Sequence, residues 1–216
     1  MEKILSKSLL KLGVFMHNLG YSLISSATVR LNNGIHPKHE IMNYHQFFVD
    51  NISENNVVLD VGCGNGYLAH DVAKKAKRVI GIDINKKYIE FAKRHYKKEN
   101  LEFIVGDATK YQFNEKFDII ILSNVLEHIE NRVEFLKKLK SIAPKFLIRV
   151  PLITRSWLPI YLKELGYEYR LDKTHYIEYT EEEFFEEMKK AGLEIESYYV
   201  KWGELYAIIV CRKGYL

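Results

Sequence analysis

Apolar residues along this chain keep two different periods, and the change between them marks its organisation. Near the N-terminus Leu5, Leu9, Leu12, Met16, Leu19 and Leu23 alternate at spacings of four and three. Lys3, Lys7, Lys11 and Asn18 fall elsewhere on the wheel, so the pattern predicts an amphipathic helix. Such a helix packs onto the body of the protein or onto a second copy in a homodimer; lying on a membrane surface is the alternative. From residue 56 the pattern becomes short apolar runs: Val57–Val61, Arg78–Asp83, Leu101–Val105, Phe117–Leu122 and Phe146–Val150. Between them lie Leu68–Lys75, Lys86–Lys97 and Val125–Ile142, with helix-spaced apolar residues and outward lysines. This alternation predicts α/β architecture: parallel strands in a doubly wound sheet with helices on both faces. The stretch from Pro151 to Tyr179 has no clear period and is rich in aromatics. Thr180 and Glu183 then form a capping box opening a helix through Lys190, stopped by Gly192. Glu194–Trp202 and Leu205–Cys211, separated by Gly203-Glu204, read as a closing antiparallel hairpin.

Composition narrows the class. The 216 residues are 47% hydrophobic and 28% charged, which suits one globular domain with a small appendage and excludes a disordered chain or a membrane bundle. The expected division is an N-terminal helical cover over 1–50 and a main domain over 51–216, with an insertion at about 152–179. Leu12 to Val29 carries no charge, but Gly13, His17, Asn18 and Gly20 interrupt it. It is too polar for a signal peptide core or a spanning helix. Cys63 and Cys211 are the two cysteines, too few for a disulfide framework, so a reducing, cytoplasmic location is expected. The net charge of +4 comes from lysines spread over separate helices and countered by Glu181–Glu183. Solvated helix faces explain them, and no nucleic-acid partner is expected.

The sharpest feature is Val57-Val58-Leu59-Asp60-Val61-Gly62-Cys63-Gly64-Asn65-Gly66. A buried strand ends in an acid and passes into a glycine turn that opens a helix, where exposed N–H groups attract an anion. A dinucleotide fingerprint needs a small residue at position 67, and Tyr67 stands there; a phosphate loop needs Gly-Lys-Ser/Thr, which is absent. The order Asp60 followed by G-x-G-x-G resembles the class I S-adenosylmethionine (SAM)-dependent methyltransferases. Val79-Ile80-Gly81-Ile82-Asp83, Phe103-Ile104-Val105-Gly106-Asp107-Ala108 and Phe117 through His128 resemble that family's second, third and fourth strand motifs.

The resemblance implies a Rossmann-like, mostly parallel sheet ending in the antiparallel hairpin, and SAM as cofactor, with S-adenosyl-L-homocysteine (SAH) as product. It places cofactor contacts at Asp60, Gly62, Cys63, Gly64, Asp83, Ile84, Asp107, Ala108 and Ser123. Asp83 would take the ribose hydroxyls and Asp107 the adenine amino group. Cys63 fits through its small size and backbone N–H. The family's nucleic-acid and protein-amide enzymes carry N/D-P-P-Y/F where this chain has Ser123-Asn124-Val125-Leu126. A small-molecule acceptor, methylated at oxygen or nitrogen, is therefore expected.

The acceptor pocket is expected from Arg155 to Tyr179, with Trp157, Tyr161, Tyr167, Tyr169, Tyr176 and Tyr179. His175 within it and His128 after the fourth strand are the candidate bases. His36, His39 and His45 lie close together but match no zinc pattern, so no metal is expected; His39 or Tyr44 could reach the methionyl end of the cofactor. Two other readings stand beside the enzyme. One is a non-catalytic module that binds SAM or SAH in regulation or assembly; the other, an NAD-dependent oxidoreductase, is disfavoured by Tyr67.

Overall fold

The computed structural model describes residues 2–33 and 36–211. The chain divides into two compact units, Met1–Tyr44 and His45–Leu216.

The first unit holds a long helix, α1 (Glu2–Leu31), and a short one, α2 (Lys38–Met42). The leucine period does produce a helix, and it runs farther than the stripe that announces it. No residue of α1 is buried. The helix α2 is capped at Asn43, left-handed at φ 45°, whose N–H donates to His39 O.

The helix α3 (Tyr44–Asp50) starts at the last residue of the first unit and buries Phe47 and Phe48 in the second. The second unit continues as β1 (Val57–Val61), α4 (Tyr67–Val72), β2 (Arg78–Asp83), α5 (Lys86–His95), β3 (Leu101–Val105) and β4 (Ile119–Ser123). Then come α6 (Arg132–Lys140), β5 (Lys145–Pro151), α7 (Trp157–Glu164), α8 (Glu181–Lys190), β6 (Leu193–Lys201) and β7 (Glu204–Cys211). The seven strands form one sheet in the order β3-β2-β1-β4-β5-β7-β6. All neighbours are parallel except β7, which is antiparallel to both β5 and β6. This is the doubly wound sheet with a closing hairpin that the alternation predicts.

The central strands owe their place to continuous apolar runs. Leu59, Ile120, Ile121, Leu122, Phe146 and Ile148 are fully buried, as strands covered on both faces require. Each such side chain contributes roughly 1.5–3 kcal/mol relative to exposure. Asp118 ties β4 to β1, its Oδ2 accepting the Val57 N–H at 2.7 Å.

Helix starts follow local chemistry. Asn85 Oδ1 accepts the N–H groups of Lys87 and Tyr88 to open α5. At α8 the capping box is complete: Thr180 Oγ1 accepts from Glu183 N–H and Glu183 Oε2 accepts from Thr180 N–H.

Three details depart from the pattern. The hairpin turn sits at Trp202 and Gly203, left-handed at φ 58° and 72°, one residue earlier than Gly203-Glu204. Two successive positive φ values match the right-handed twist of the flanking strands. The helix expected over Val125–Ile142 is broken into a short 3₁₀ turn, Leu126–His128, and α6. Ile129 between them is extended (φ −100°, ψ 125°), which lets Leu126 and Glu127 turn inward while Phe135, Leu136 and Leu139 of α6 are buried. Finally, the aperiodic stretch after Pro151 contains α7. Its Pro159 falls in the first turn, where a missing N–H costs nothing.

Candidate active site

The strand order reverses between β1 and β4, and a crevice opens beyond their carboxyl ends, where open α/β sheets bind ligands. A cavity of about 1270 Å³ occupies it, walled by the glycine turn, the ends of β2 and β3, and the segment after β4.

The glycine turn is built by packing as much as by ligand approach. Gly62 and Gly66 are left-handed, and a Cβ at Gly62 would lie 2.6 Å from Val125 Cγ2. A Cβ at Gly66 would lie 2.6 Å from the Phe103 ring. Gly64, also left-handed, has nothing within 4 Å and borders the cavity. The expectation of free N–H groups is corrected here. Gly62 and Cys63 both donate to Ile82 O, and Gly64 donates to Asp83 Oδ2 at 2.9 Å. The turn spends these donors on holding itself against β2, so it presents a fixed surface in place of an anion cradle.

Asp83 is thereby held at the cavity. Its Oδ2 accepts from Gly64 and its Oδ1 from the Asn85 N–H at 2.7 Å, and each oxygen keeps a second lone pair for a ligand. Ile84 beside it is 71% exposed and lines the cavity, an apolar surface suited to a planar ring. Asp107 and Ala108 lie on the same wall. The Thr109 hydroxyl, donating to Asp107 Oδ1 at 2.6 Å, is the main cause holding that carboxyl below the usual range.

Other expected contacts lie behind the wall. Asp60 is 1% exposed and outside the lining, and its Oδ2 has no hydrogen-bond partner. Burial, with Asp83 adding to it, pushes its pKa up to about 8. Cys63 is buried against Gly81, and burial raises its thiol pKa far from any nucleophilic role. Its N–H is the one already given to Ile82. Ser123 is half-buried and outside the lining; the neighbouring Asn124, left-handed at φ 55°, lines the cavity instead.

The two candidate bases come together, with their rings perpendicular and centroids 4.5 Å apart. Their surroundings differ. His128 lines the cavity, while His175 is 6% exposed and outside the lining. His175 Nδ1 pairs with Glu178 Oε1 at 2.8 Å, and Glu178 also accepts from Arg155 Nη1 at 2.6 Å and the Leu171 N–H at 2.6 Å. His128 Nδ1 lies 2.9 Å from Thr174 Oγ1, which donates to Asp172 Oδ1 at 2.8 Å. Partial desolvation, then the nearby His175, holds the His128 pKa below the usual imidazole value.

Glu127 is the residue that sequence reasoning passed over. It is 1% exposed, both carboxylate oxygens lack hydrogen-bond partners, and burial pushes its pKa to about 7. Donor atoms of Glu127, His128 and His175 all lie within 4.8 Å of one another, close enough to share an ion. The histidines weighed for metal have other partners. His36 meets His39 edge-on, His39 Nδ1 lies 2.7 Å from the Tyr44 hydroxyl, and His45 Nδ1 lies 2.6 Å from Asp71 Oδ2.

Of the six aromatics expected in the acceptor pocket, Tyr176 reaches the cavity lining. Trp157 and Tyr161 are exposed on α7. Tyr169 lies under the Lys163 ammonium. Tyr179 is fully buried, with its hydroxyl donated to Glu187.

A model of the methyltransferase domain matches residues 52–198. The chain belongs to the class I SAM-dependent methyltransferases. The cofactor of this methyltransferase family is SAM. Ubiquinone biosynthesis O-methyltransferase from Bradyrhizobium diazoefficiens is 33% identical over 117 residues, covering 53% of this chain and 46% of that protein. The protein of the same name from Histophilus somni is 30% identical over 155 residues, covering 65% of this chain and 64% of its own. The chain thus spans about half the length of the curated relatives it matches. Among solved structures, magnesium protoporphyrin IX methyltransferase from Synechocystis PCC 6803, with bound SAH, superposes with a TM-score of 0.60 at 21% identity. That alignment covers 78% of this chain and 84% of the other. At that identity the likeness shows the shared fold of the methyltransferase sheet.

Proposed function

We propose that this methyltransferase acts on a small molecule at oxygen or nitrogen, with oxygen favoured and His128 as the general base. SAM, when bound, supplies an electrophilic methyl group on a sulfonium. Asp83 would accept the ribose hydroxyls while Ile84 and Ala108 flank the adenine and Asp107 takes its amino group. His128 would then hold the acceptor from the opposite wall.

The observation that carries the reading is the chain of contacts from His128 Nδ1 to Thr174 Oγ1 at 2.9 Å and on to Asp172 Oδ1 at 2.8 Å. The Thr174 N–H and hydroxyl, both donated to Asp172, keep that carboxyl below its usual pKa, so it is ionised and accepts only. Thr174 has one hydroxyl proton and gives it to Asp172. Thr174 Oγ1 therefore accepts from His128 Nδ1–H, and the lone pair of the neutral ring sits on Nε2. A hydroxyl acceptor must lose its proton as its oxygen takes the methyl group, and Nε2 can take that proton. An amine needs less help, which is why this arrangement favours oxygen. The names of the O-methyltransferase relatives point the same way.

His175 receives a positioning role in this account. With Glu178 and Arg155 it forms a buried strut beneath the turn that carries Asp172 and Thr174. The Tyr176 N–H, donated to Glu127 O at 2.7 Å, fastens the other end of that turn.

Release of SAH in the presence of phenolic and amine acceptors tests the proposal. Turnover with a phenol, lowered by about 100-fold or more in His128→Ala, is the expected result. Unchanged turnover in that variant would remove His128 as the base, and SAM binding without turnover on any acceptor would favour a regulatory module.

A further inference from the structure

The long N-terminal helix leaves a large apolar surface that nothing in its own unit covers. Leu5 is 64% exposed, Leu12 58%, Met16 56% and Leu23 64%, and no residue of α1 is buried. Contiguous exposed patches of this kind mark interaction surfaces. At 3.6 residues per turn, Leu5, Leu9, Leu12, Met16, Leu19 and Leu23 share one side, and Lys3, Lys7 and Lys11 share the side opposite.

The charges of α1 are nearly of one sign. Lys3, Lys7, Lys11 and Arg30 stand against Glu2, and no charged residue lies between Leu12 and Val29. An anionic surface would neutralise this charge. No described helix is long and apolar enough to cross a membrane. His17 and Asn18 in the middle of α1 also suit a helix that lies along a boundary with one side in water.

We infer that α1 is an interfacial helix that lays its leucine stripe into the headgroup boundary of an anionic lipid bilayer. The leucines supply apolar burial, and the lysines supply attraction that a neutral bilayer cannot give. The inference is independent of the acceptor assigned above.

Co-sedimentation of the full chain with lipid vesicles tests it. Binding is expected to vesicles containing phosphatidylglycerol and to fall strongly on those of phosphatidylcholine alone. Replacing the three lysines together (Lys3→Gln, Lys7→Gln, Lys11→Gln) should lower the partition coefficient on the order of 100-fold. High salt should do the same to the wild type. Leu12→Ser with Leu23→Ser should abolish binding with the lysines intact, while the thermal transition of the sheet unit stays in place. In a Met16→Trp variant, the added emission should shift to the blue and be quenched by brominated acyl chains. No sedimentation with anionic vesicles would overturn the inference. So would binding that survives the lysine replacements, or a dimer in sedimentation velocity that the leucine variant dissolves.

Discussion

Thr174→Val removes one oxygen and almost nothing else, which makes it a sharp probe of how His128 is set. Thr174 is exposed, and valine keeps its shape, so the fold should be untouched. What disappears is the link from His128 Nδ1 at 2.9 Å and onward to Asp172 at 2.8 Å. One hydrogen bond of this kind contributes about 1–1.5 kcal/mol, and losing it frees both the ring orientation and its tautomer. Methyl transfer to a hydroxyl should therefore slow roughly 5- to 10-fold in kcat, with SAM affinity unchanged. Thr174→Ser should restore the rate because the hydroxyl returns. The decisive assay is a double-mutant cycle scored by SAH release at saturating SAM. If Thr174 acts through His128, adding Thr174→Val to His128→Ala should cost nothing further. A loss of the same size in both backgrounds would refute the proposed chain from Asp172 to His128.

Other consequences are equally open to measurement. Asp83→Ala should weaken SAM binding about 10- to 100-fold in calorimetric titration, because charged hydrogen bonds of this kind contribute 1.5–3 kcal/mol or so; unchanged affinity would remove Asp83 from the site. Gly66→Ala should lower the melting temperature by about 5–10 °C, as roughly 2–3 kcal/mol of left-handed strain and collision with Phe103 and Ala92 accumulates. The raised Asp60 pKa makes a signed claim about pH. Its carboxyl stays protonated in the folded chain up to about pH 8 but ionises near pH 4 when unfolded, so stability falls as pH rises across that window. Asp60→Asn should therefore stabilise the ligand-free protein more at pH 8 than at pH 5 in thermal melts, and an equal effect at both would contradict the burial argument. Because the His128 pKa is lowered, kcat/KM for a hydroxyl acceptor should already be level at neutral pH and decline below the ordinary imidazole value.

What the sequence makes legible here is what short-range physics controls. Continuous apolar runs such as Ile119–Leu122 read as strands buried on both faces because they are short and alternate with helical segments, and the sheet follows from that alternation. The Thr180–Glu183 capping box is local and appears as drawn. The helix α7 was hidden because aromatic residues and Pro159 blur its period. The break at Ile129 was hidden because Leu126 and Glu127 are drawn inward by packing that sequence spacing does not encode. The site divides in the same way. Asp83, Asp107 and Ala108 fall on the cavity because strand ends and register put them there, whereas Asp60 and Cys63 share that motif but face the core. His175 and His128 are far apart in sequence, and only the fold reveals that one is buried against Glu178 while the other meets the cavity. Glu127 offered one signal, an acid beside a histidine just past a strand. That its buried carboxylate oxygens lack hydrogen-bond partners and lie beside His128 and His175 is a property of the tertiary structure.

The central claim is that this crevice binds SAM and delivers its methyl group, and the most direct measurement is a calorimetric titration of the full chain with SAM. One binding event per chain is predicted, weakened in Asp83→Ala and competed by SAH. Folded protein that takes up no SAM would contradict the account.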